Sequence, residues 1–400
     1  MRLLFVADGR SPIALNWIGY FLSSGDEVHL VSTFDSLPDA RLASYTFLPT
    51  AFSGLKRRKP SSDSGVRAPH RNRKLKGIWS DSAVGLRTAL RQLLGPLTLP
   101  TSARRLQALV DAVTPDLVHA MRIPYEGMLA AMALAAPTSP PLLLSVWGND
   151  FTLHASSTPL MRHFTRLALS RATALHADCR RDVRLAREWG FSAERLTFVL
   201  PGAGGVQTEL FSPPDEVIQA PVVVQPRGVR AYVQNRVFFQ AIAEVLQRYP
   251  RARFICPNMA DEPQILAWVR ELGLQQAVEL LPRQTRAQMA DLFRRARVVV
   301  SPTTHDGTPN TLLEAMACGC LPVAGDLESV REWITPGENG LLAVLDDPGP
   351  LAQAILRALQ DDELCARARE INLRLVAQHA AYESVMAQAR QFYQRIVAGA

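Results

Sequence analysis

The chain has 400 residues, of which 48% are apolar and 20% are charged, and its formal net charge is +7. These values describe an ordinary globular protein of two or three domains and exclude collagen-like, low-complexity and largely disordered chains. The apolar start of the chain is too short for a signal peptide, and no run approaches the length of a membrane span. The five cysteines are odd in number and form no disulfide framework, which favours a reducing cytosol.

The first half of the chain alternates apolar strands with amphipathic helices. Strands are predicted over residues 3–7, 27–31, 116–120, 142–146 and 172–177, and helices over 13–23, 104–113, 127–136 and 160–171. This alternation predicts an α/β architecture, a parallel sheet with helices on both faces. In such sheets, ligands bind at the carboxyl ends of the strands.

A strongly basic segment, residues 56–76, interrupts this series. It contains nine Lys or Arg residues and one acid, so it carries +8 and the rest of the chain is near neutral. Its Ser, Gly and Pro residues predict a loop. Two interpretations stay open: the loop and the apolar positions after it dock on an anionic membrane surface, or it is a solvated loop before a core helix. No nucleic-acid-binding motif occurs, so nucleic acid is not expected as a partner.

A stretch rich in glycine and proline, residues 201–220, predicts a linker, and a second alternating series follows it. Its strands are predicted over residues 221–225, 252–256, 278–281, 296–300 and 321–324, and its helices over 236–247, 263–272, 286–295, 351–360, 363–372 and 382–397. We therefore predict two Rossmann-like, doubly wound domains, residues 1–200 and 221–375, and a final helical segment, residues 376–400.

Residues 305–319 are the most informative segment of the chain. The apolar run before them predicts a buried strand that leads into a loop at Asp306. Thr308 is predicted to cap the helix that follows, with Pro309 in its first turn and Gly319 just after its end. Because a helix N-terminus offers unpaired N–H groups and the positive end of the helix dipole, this turn suits a phosphate.

Two acids flank this helix N-terminus. Asp306 lies in the loop, whereas Glu314 lies between one and two turns inside the helix, where a carboxylate can accept hydrogen bonds from vicinal hydroxyls. This arrangement predicts a pocket for a nucleotide sugar. One acid would lie near the sugar, the backbone amides at the diphosphate and the other acid at the ribose. The alternative is an ordinary amphipathic helix with two solvated acids, because two acids at this spacing are common.

The segment resembles the signature of the retaining family 4 glycosyltransferases, which have the GT-B fold of two Rossmann-like domains facing an interdomain cleft. That signature has two acids separated by seven residues, the second within a Glu-Ala-Met-Ala-x-Gly helix, and residues 314–319 match it. Asp306 stands where the family usually has Glu. Looser similarities at residues 25–29, 145–150 and 205–213 extend the resemblance over nearly the whole chain.

The resemblance implies a function. It implies transfer of a hexose-type sugar from a nucleoside diphosphate sugar to a hydroxyl group of a glycan, lipid-linked or small-molecule acceptor, with retention of the anomeric configuration. No metal or other cofactor is expected. It also implies that residues 376–400 cross back onto the first domain.

On the donor side, the resemblance places Arg227 at the family's Arg position, where it would stabilise the diphosphate. No Lys follows at the usual place, so either Arg230 or Arg236 replaces it or the second cation is absent. The loop at Arg283 is expected to read the nucleobase, and Glu314 to hold the ribose. Donor-positioning residues are expected in the turn itself: Gly307, Thr308, Pro309, Asn310 and Thr311. Of these, Pro309 has no amide hydrogen to donate.

On the acceptor side, His119 is near the end of a predicted strand and is expected to line the cleft, where it would poise an acceptor hydroxyl. A structural histidine is the alternative. Asp150 follows the next strand and either contacts the acceptor or holds its own loop. Ser11, in the first loop, is a further acceptor-side candidate. The expected catalytic residues are thus Asp306, Arg227 and His119.

Two other functions stay open. One is a nucleotide-sugar epimerase or hydrolase of the same architecture, which would need an acid or base that activates water in the cleft. The other is a catalytically weak nucleotide-sugar-binding subunit, an idea motivated by Asp306 and by the missing Lys. The expected location is the cytoplasm, with peripheral association on the inner face of the membrane through residues 56–76.

Overall fold

The computed structural model describes residues 1–54 and 91–399. Within these ranges, the strands form two parallel sheets, one in each half of the chain. The basic segment 56–76 lies outside the described residues, so its contact with a membrane stays a prediction. Among the helices of the described ranges, none combines the length and apolarity needed to cross a membrane.

The first sheet has the strand order of a doubly wound fold, β3-β2-β1-β4-β5-β6-β7. Its strands are β1 (Arg2–Ala7), β2 (Glu27–Ser32), β3 (Ser44–Phe47), β4 (Leu117–Ala120), β5 (Leu142–Val146), β6 (Ala174–Ala177) and β7 (Leu196–Val199). Residues 3–7 of β1 are at most 1% exposed. Burial on both faces explains why this strand is apolar throughout and does not alternate with polar residues.

Among the described residues of the first half, the α-helices with both ends described are α1 (Pro12–Ser23), α2 (Leu99–Val113), α3 (Met128–Ala133), α4 (Pro159–Arg171) and α5 (Arg180–Glu188). Ser11 begins α1, because its hydroxyl accepts a hydrogen bond from the Ala14 N–H. The helix predicted over 127–136 is shorter than expected, since Leu134 leaves the helical conformation with φ −92° and ψ 47°.

The second sheet has the order β10-β9-β8-β11-β12-β13. Its strands are β8 (Val222–Val224), β9 (Arg253–Pro257), β10 (Val278–Leu281), β11 (Val298–Ser301), β12 (Leu321–Gly325) and β13 (Leu341–Ala343). The helices of this half are α6 (Asn235–Arg248), α7 (Pro263–Glu271), α8 (Arg286–Arg295), α9 (Asn310–Ala317), α10 (Pro348–Gln360), α11 (Asp362–His379) and α12 (Tyr382–Ala398). The predicted pair of Rossmann-like domains is therefore confirmed. Their exact boundaries stay predictions, with β7 and β8 on either side of the predicted linker.

The chain passes between the two halves at two points, and these crossings pair with each other. The Val206 N–H donates to the Ala380 carbonyl at 2.7 Å, and the Tyr382 N–H donates to the Val206 carbonyl at 2.9 Å. Beyond this bridge, α12 packs into the core of the first domain, where Phe392 stacks on Phe198 with ring centroids 4.4 Å apart. Paired crossings place the carboxyl edges of both sheets beside one cleft.

Candidate functional site

The loop between β11 and α9 brings Asp306 to Arg227. Nη2 of Arg227 is 2.9 Å from Oδ2 of Asp306, and the two side chains are 10% and 13% exposed. The neighbouring Nη1 donates to the hydroxyl of Thr311 at 3.3 Å. The backbone N–H of Arg227 is held at 2.7 Å by the side chain of Gln225. Arg227 therefore bridges the loop acid and the first turn of α9, and its predicted role at a diphosphate stays a prediction.

This pair keeps unused hydrogen-bonding capacity. Oδ2 of Asp306 and Nε of Arg227 are buried and have no hydrogen-bond partner among the described residues. The 2.9 Å contact is thus an ion pair without hydrogen-bond geometry. Since buried polar atoms are normally paired, unpaired ones beside a cleft point to a ligand position.

The turn before α9 is covered by the first domain. A Cβ atom on Gly148, in the loop after β5, would lie 1.8 Å from the Gly307 nitrogen. A Cβ atom on Gly307 would lie 2.3 Å from the carboxylate of Asp178, just after β6. Thr308 donates its hydroxyl hydrogen bond to the Asp178 carbonyl. The structure therefore shows the cleft closed at Gly307, and its amide is not open to a ligand in this arrangement.

The prediction that Thr308 caps α9 is wrong. Its hydroxyl is engaged by Asp178 and by Nε1 of Trp333, the latter at 3.3 Å. The residue before α9 is Pro309, which gives no side-chain cap, and the helix begins at Asn310. An N-terminus without a side-chain cap keeps its first-turn N–H groups for another acceptor.

Arg181 on α5 holds the loops of both domains together. Its Nη1 donates to the Asp306 carbonyl at 2.8 Å and to the Ser329 hydroxyl at 3.2 Å. Its Nη2 donates to the Gly148 carbonyl at 2.8 Å and lies 2.8 Å from the carboxylate of Asp182. Sequence analysis does not single out Arg181, although the rule that ligands meet strand ends could have pointed to the residues after β6.

Three groups beside Arg181 have a spacing that could hold a cation. Ligand atoms of Asp178, Cys179 and Asp182 lie within 4.8 Å of one another and are buried. Burial raises the pKa of the Asp178 carboxyl well above its ordinary value and also raises the pKa of the Cys179 thiol. Protonated groups are poor metal ligands, and the guanidinium of Arg181 already supplies a positive charge to Asp182. We therefore describe this cluster as part of the interdomain contact.

Glu314 faces the groove between the domains. Its side chain is 17% exposed, and Oε1 lies 3.2 Å from Nη2 of Arg286 in the first turn of α8. Nη1 of Arg286 in turn donates to the side chain of Gln207, in the linker, at 3.0 Å. Burial raises the pKa of Glu314 to about 7, although the Arg286 charge acts in the opposite direction. The acid is thus available to a ligand that enters between α8 and α9.

Sequence analysis does not include Arg286 in the site. A local signal existed, because Thr285 and Gln288 form a capping box. That box fixes the start of α8 immediately after the predicted nucleobase loop at Arg283. A long basic side chain at the first helical position then reaches the site.

The other predicted donor-side arginines form no ion pair with Asp306 among the described residues. Arg230 is exposed and donates to the hydroxyl of Tyr232 at 2.9 Å. Tyr232 itself is joined to the loop before Asp306, because its carbonyl accepts from the Thr304 N–H at 3.0 Å. Its partner Arg230 therefore lies near the rim of the site. Arg236 and Arg283 are exposed as well. The structure brings neither of them into contact with Asp306 or Glu314.

The prediction that His119 lines the cleft is wrong. The residue lies within β4 and is 1% exposed. Its Nε2 is 2.7 Å from the Ser145 hydroxyl, and its Nδ1 is 2.5 Å from the hydroxyl of Tyr393 on α12. Burial lowers the pKa of His119 well below its ordinary value, and nearby His176 acts in the same direction. Neither ring nitrogen is left for an acceptor hydroxyl, so His119 has the structural role that was the alternative.

The hydrogen bonds around His119 have a single consistent direction. The Leu200 carbonyl can only accept, so His176 carries its proton on Nε2, 3.0 Å away. Its Nδ1 then accepts from the Ser145 hydroxyl at 2.8 Å, and Ser145 accepts from Nε2–H of His119. His119 Nδ1 accepts from Tyr393, whose oxygen accepts from Trp17 at 2.8 Å. We name this chain of groups the core relay.

Asp150 holds its own loop, one of its two expected roles. It is 1% exposed, and its Oδ2 accepts from the N–H groups of Ile123 and Trp147 at 3.1 and 3.2 Å. Its Oδ1 lies 3.0 Å from Nε of Arg122. The carboxylate is thus occupied by groups of the first domain. The hydroxyl of Ser11 is engaged at the N-terminus of α1.

Two family models match the chain, one in each domain. Residues 20–202 match the glycosyl transferase 4-like domain, and residues 227–361 match the model described as glycosyl transferases group 1. The two matches together leave out residues 1–19, 203–226 and 362–400. The second match includes Arg227, Asp306 and Glu314.

Curated relatives are similar over a shorter part of the chain. A D-inositol 3-phosphate glycosyltransferase of Corynebacterium jeikeium is 30% identical over 139 residues, 32% of this chain and 33% of the relative. A phosphatidyl-myo-inositol mannosyltransferase of Mycolicibacterium smegmatis is 29% identical over 133 residues, again 32% and 33% of the two chains. The matched part thus spans about a third of the length of these relatives.

Solved structures are similar over the whole chain. Sucrose-phosphate synthase from Thermosynechococcus elongatus has a TM-score of 0.74 at 16% identity and covers 100% of both chains. Anabaena HepE in complex with UDP and glucose has a TM-score of 0.73 at 16% identity, covering 99% of this chain and 100% of HepE. At this identity the likeness concerns the fold alone, and it confirms the predicted GT-B architecture.

Proposed function

The chain belongs to the glycosyl transferases group 1 family, and from this premise we propose that it transfers a hexose from a nucleoside diphosphate sugar to an acceptor hydroxyl. The observation that carries the proposal is the position of Arg227, which contacts both Asp306 and Thr311. Glu314 lies farther along the same helix and faces the groove. The acceptor is a glycan, a lipid-linked sugar or a small molecule.

The donor diphosphate lies at the N-terminus of α9 in this proposal. Arg227 neutralises it, and the first-turn N–H groups at Asn310 and Thr311 donate to its oxygens. The unpaired Nε of Arg227 supplies one further donor. The ribose hydroxyls donate to Glu314, replacing its contact with Arg286. This arrangement assigns the diphosphate charge to protein groups and uses no metal.

The transfer step follows from these positions. The bond between the anomeric carbon and the phosphate oxygen breaks, and the acceptor oxygen bonds to the same face of that carbon. The leaving phosphate takes the acceptor proton, so the anomeric configuration is retained. Charge grows on the leaving phosphate, where Arg227 and the helix N-terminus stabilise it. Asp306 holds the sugar and orients Arg227.

Domain contact protects the step from water. Arg181 and the close approach of Gly148 to Gly307 hold the loops of the two domains together. Water that reached the anomeric carbon would hydrolyse the donor, so a closed cleft favours transfer. The donor enters when this contact opens, because Gly307 is covered in the closed arrangement.

A panel of UDP and GDP sugars, incubated with and without glycan and lipid-linked acceptors, tests the proposal. We expect glycoside formation that depends on acceptor, and at least about tenfold slower transfer for Arg227→Ala, equivalent to about 1.4 kcal/mol in the barrier. The exposed Arg248→Ala on α6 is the matched control and should keep the wild-type rate. Donor conversion that is independent of acceptor, or an unchanged rate for Arg227→Ala, would contradict the proposal.

A further inference from the structure

A second group of charged residues lies at the carboxyl edge of the first sheet, outside the donor site. Arg10 follows β1, and Arg122 follows β4. Arg91 precedes α2 and reaches the same edge. We name these three residues the arginine cluster. The cluster borders the interdomain cleft, because Arg122 donates at 3.1 Å to Asn149, the neighbour of Gly148.

Two of the three guanidinium groups share an aromatic surface. The Cζ atom of Arg10 lies 3.6 Å from the ring centroid of Phe34, and that of Arg91 lies 5.0 Å from the same centroid. Arg91 also lies 4.5 Å from the ring centroid of Tyr125. Cation–π attraction can hold such groups in place, but it satisfies none of their N–H donors. Like charges gathered in this way favour the approach of an anion.

Tyr125 is held in an unusual backbone conformation at this position. Its φ of 69° and ψ of −57° lie in a region that side-chain-bearing residues rarely adopt. Such a conformation costs of the order of 1–3 kcal/mol and persists only where neighbouring structure enforces it. Here the hydroxyl of Tyr125 donates to the Arg91 carbonyl at 3.0 Å. The strained turn therefore fixes the ring beside Arg91.

Two of the arginines are fixed on one edge, which leaves the other edge for a ligand. Arg10 is bound through Nε and Nη2 to Asp8, at 3.0 and 2.9 Å. Arg122 is bound through Nε to Asp150 at 3.0 Å and through Nη2 to Asn149. Among the described residues, Nη1 of neither side chain has a hydrogen-bond partner. These groups are oriented donors with free capacity.

Within the part of the chain that the structure describes, Arg91 has fewer hydrogen-bond acceptors around its guanidinium group than Arg10 and Arg122 have. Its Nε is buried and has no hydrogen-bond partner among residues 1–54 and 91–399, and no ion pair to Arg91 occurs within these ranges. A buried donor without an acceptor costs about 1–3 kcal/mol. An anionic group bound at this place would remove that cost.

Asp8 and Asp150 each balance one arginine of the cluster, so the remaining charge depends on Arg91 and on the nearby acid Glu126. Glu126 is 4% exposed, and its carboxyl accepts from the Thr33 hydroxyl at 2.5 Å. Burial raises the pKa of Glu126, whereas Thr33, Arg122 and Arg91 act in the opposite direction. When Glu126 is protonated, the charge of Arg91 is unbalanced, and the neutral carboxyl can itself donate a hydrogen bond to an anion.

We propose that the arginine cluster binds a phosphate group of the sugar acceptor, so that the acceptor is a phosphorylated molecule whose hydroxyl faces the donor site. The proposal rests on the proposed transferase function, because it names the acceptor class of the same cleft. Guanidinium groups from three separate elements suit a tetrahedral phosphate with several oxygens better than a planar carboxylate. One loop links the cluster to the donor site, because Arg122 donates to Asn149 and the adjoining Gly148 approaches Gly307, the neighbour of Asp306.

Calorimetry on the full chain tests this proposal in the presence of saturating UDP, which fills the donor phosphate site. The titrants are glycerol 3-phosphate and glycerol, and a parallel arm uses phosphatidylglycerol vesicles, so that a soluble and a lipid source of the phosphate are compared. We expect glycerol 3-phosphate or the vesicles to bind, glycerol not to bind, and Arg91→Gln to weaken that binding at least about tenfold. The exposed Arg105→Gln on α2 is the matched control and should bind like the wild type.

The outcomes separate this inference from the function on which it rests. Two results would overturn the acceptor class and leave the transferase proposal standing. In one, UDP binds normally but neither phosphate probe binds. In the other, wild type and Arg91→Gln bind the probes equally. Failure to bind any nucleotide would overturn both. Loss of phosphate binding in Arg91→Gln with unchanged UDP affinity would exclude misfolding and support the inference.

Discussion

The core relay and the cleft use similar side chains, but they differ in how completely their hydrogen bonds are satisfied. Around His119, each ring nitrogen has a partner, and the chain of donors ends at the Leu200 carbonyl. In the cleft, Arg227, Asp306 and Arg91 keep buried polar atoms without partners among the described residues. A buried network in which every polar atom has a hydrogen-bond partner stabilises the fold. Buried polar atoms without partners beside a cleft indicate a position for a ligand. The comparison indicates a stabilising role for His119, and it is the reason why we propose the cleft groups as ligand-binding residues.

Replacing His119 should give the largest effect on stability. His119→Ala removes a buried ring and leaves Ser145 and Tyr393 without their partner, which we expect to cost about 3–4 kcal/mol of unfolding free energy in the first domain. The measurement is urea unfolding followed by tryptophan fluorescence. His163→Ala, on the exposed side of α4, is the matched control and should stay within about 0.5 kcal/mol of the wild type. A loss as small as that of the control would place His119 outside the stabilising network.

The core relay should also make stability depend on pH. Burial lowers the pKa of His176 to about 4, below the ordinary value near 6.5, so the unfolded chain binds more protons between these two values. Stability should therefore be fully present above about pH 6.5 and fall as the pH drops toward about 4, by up to about 3 kcal/mol. His176→Gln should unfold with a shallower dependence in this window. An identical slope in wild type and variant would show that His176 is not held neutral.

Closure of the cleft can be blocked with one methyl group. Gly148→Ala places a Cβ atom where the Gly307 nitrogen lies 1.8 Å away, so the domains cannot approach as closely. We expect a larger radius of gyration by small-angle scattering and about tenfold slower transfer, with both domains still folded. The matched control is Gly19→Ala on α1, where a Cβ atom meets nothing within 4 Å. Wild-type compactness and rate in Gly148→Ala would show that this contact does not form during the reaction.

The sequence predicted the fold and the donor loop because their signals are local. Apolar runs marked most strands of both sheets, and residues 305–319 contained the strand, loop and helix that carry Asp306 and Glu314. The sequence did not predict the contact of Asp306 with Arg227, although both residues lie in loops that follow neighbouring strands, β11 and β8. Strand-end positions of a parallel sheet converge whatever lies between them in sequence.

The wrong predictions concern side chains whose hydrogen-bond partner lies on an element distant in sequence. His119 was expected in the cleft, but Tyr393, from the last helix, engages its ring. Thr308 was expected to cap its own helix, but its hydroxyl donates a hydrogen bond to the backbone carbonyl of Asp178, in the other domain. Arg181 bonds to both domains, and no spacing in the sequence indicates it. Contacts of this kind depend on how two domains meet, which no local pattern encodes.

The most direct test of the account is the affinity of Glu314→Ala for UDP and GDP, measured by calorimetry on the full chain. If the ribose hydroxyls donate to Glu314, the better-bound nucleotide should bind at least about tenfold more weakly to the variant, a loss of about 1.4 kcal/mol or more. The exposed Glu338→Ala is the matched control and should bind like the wild type. Wild-type affinity in Glu314→Ala would contradict the nucleotide-sugar site at α9.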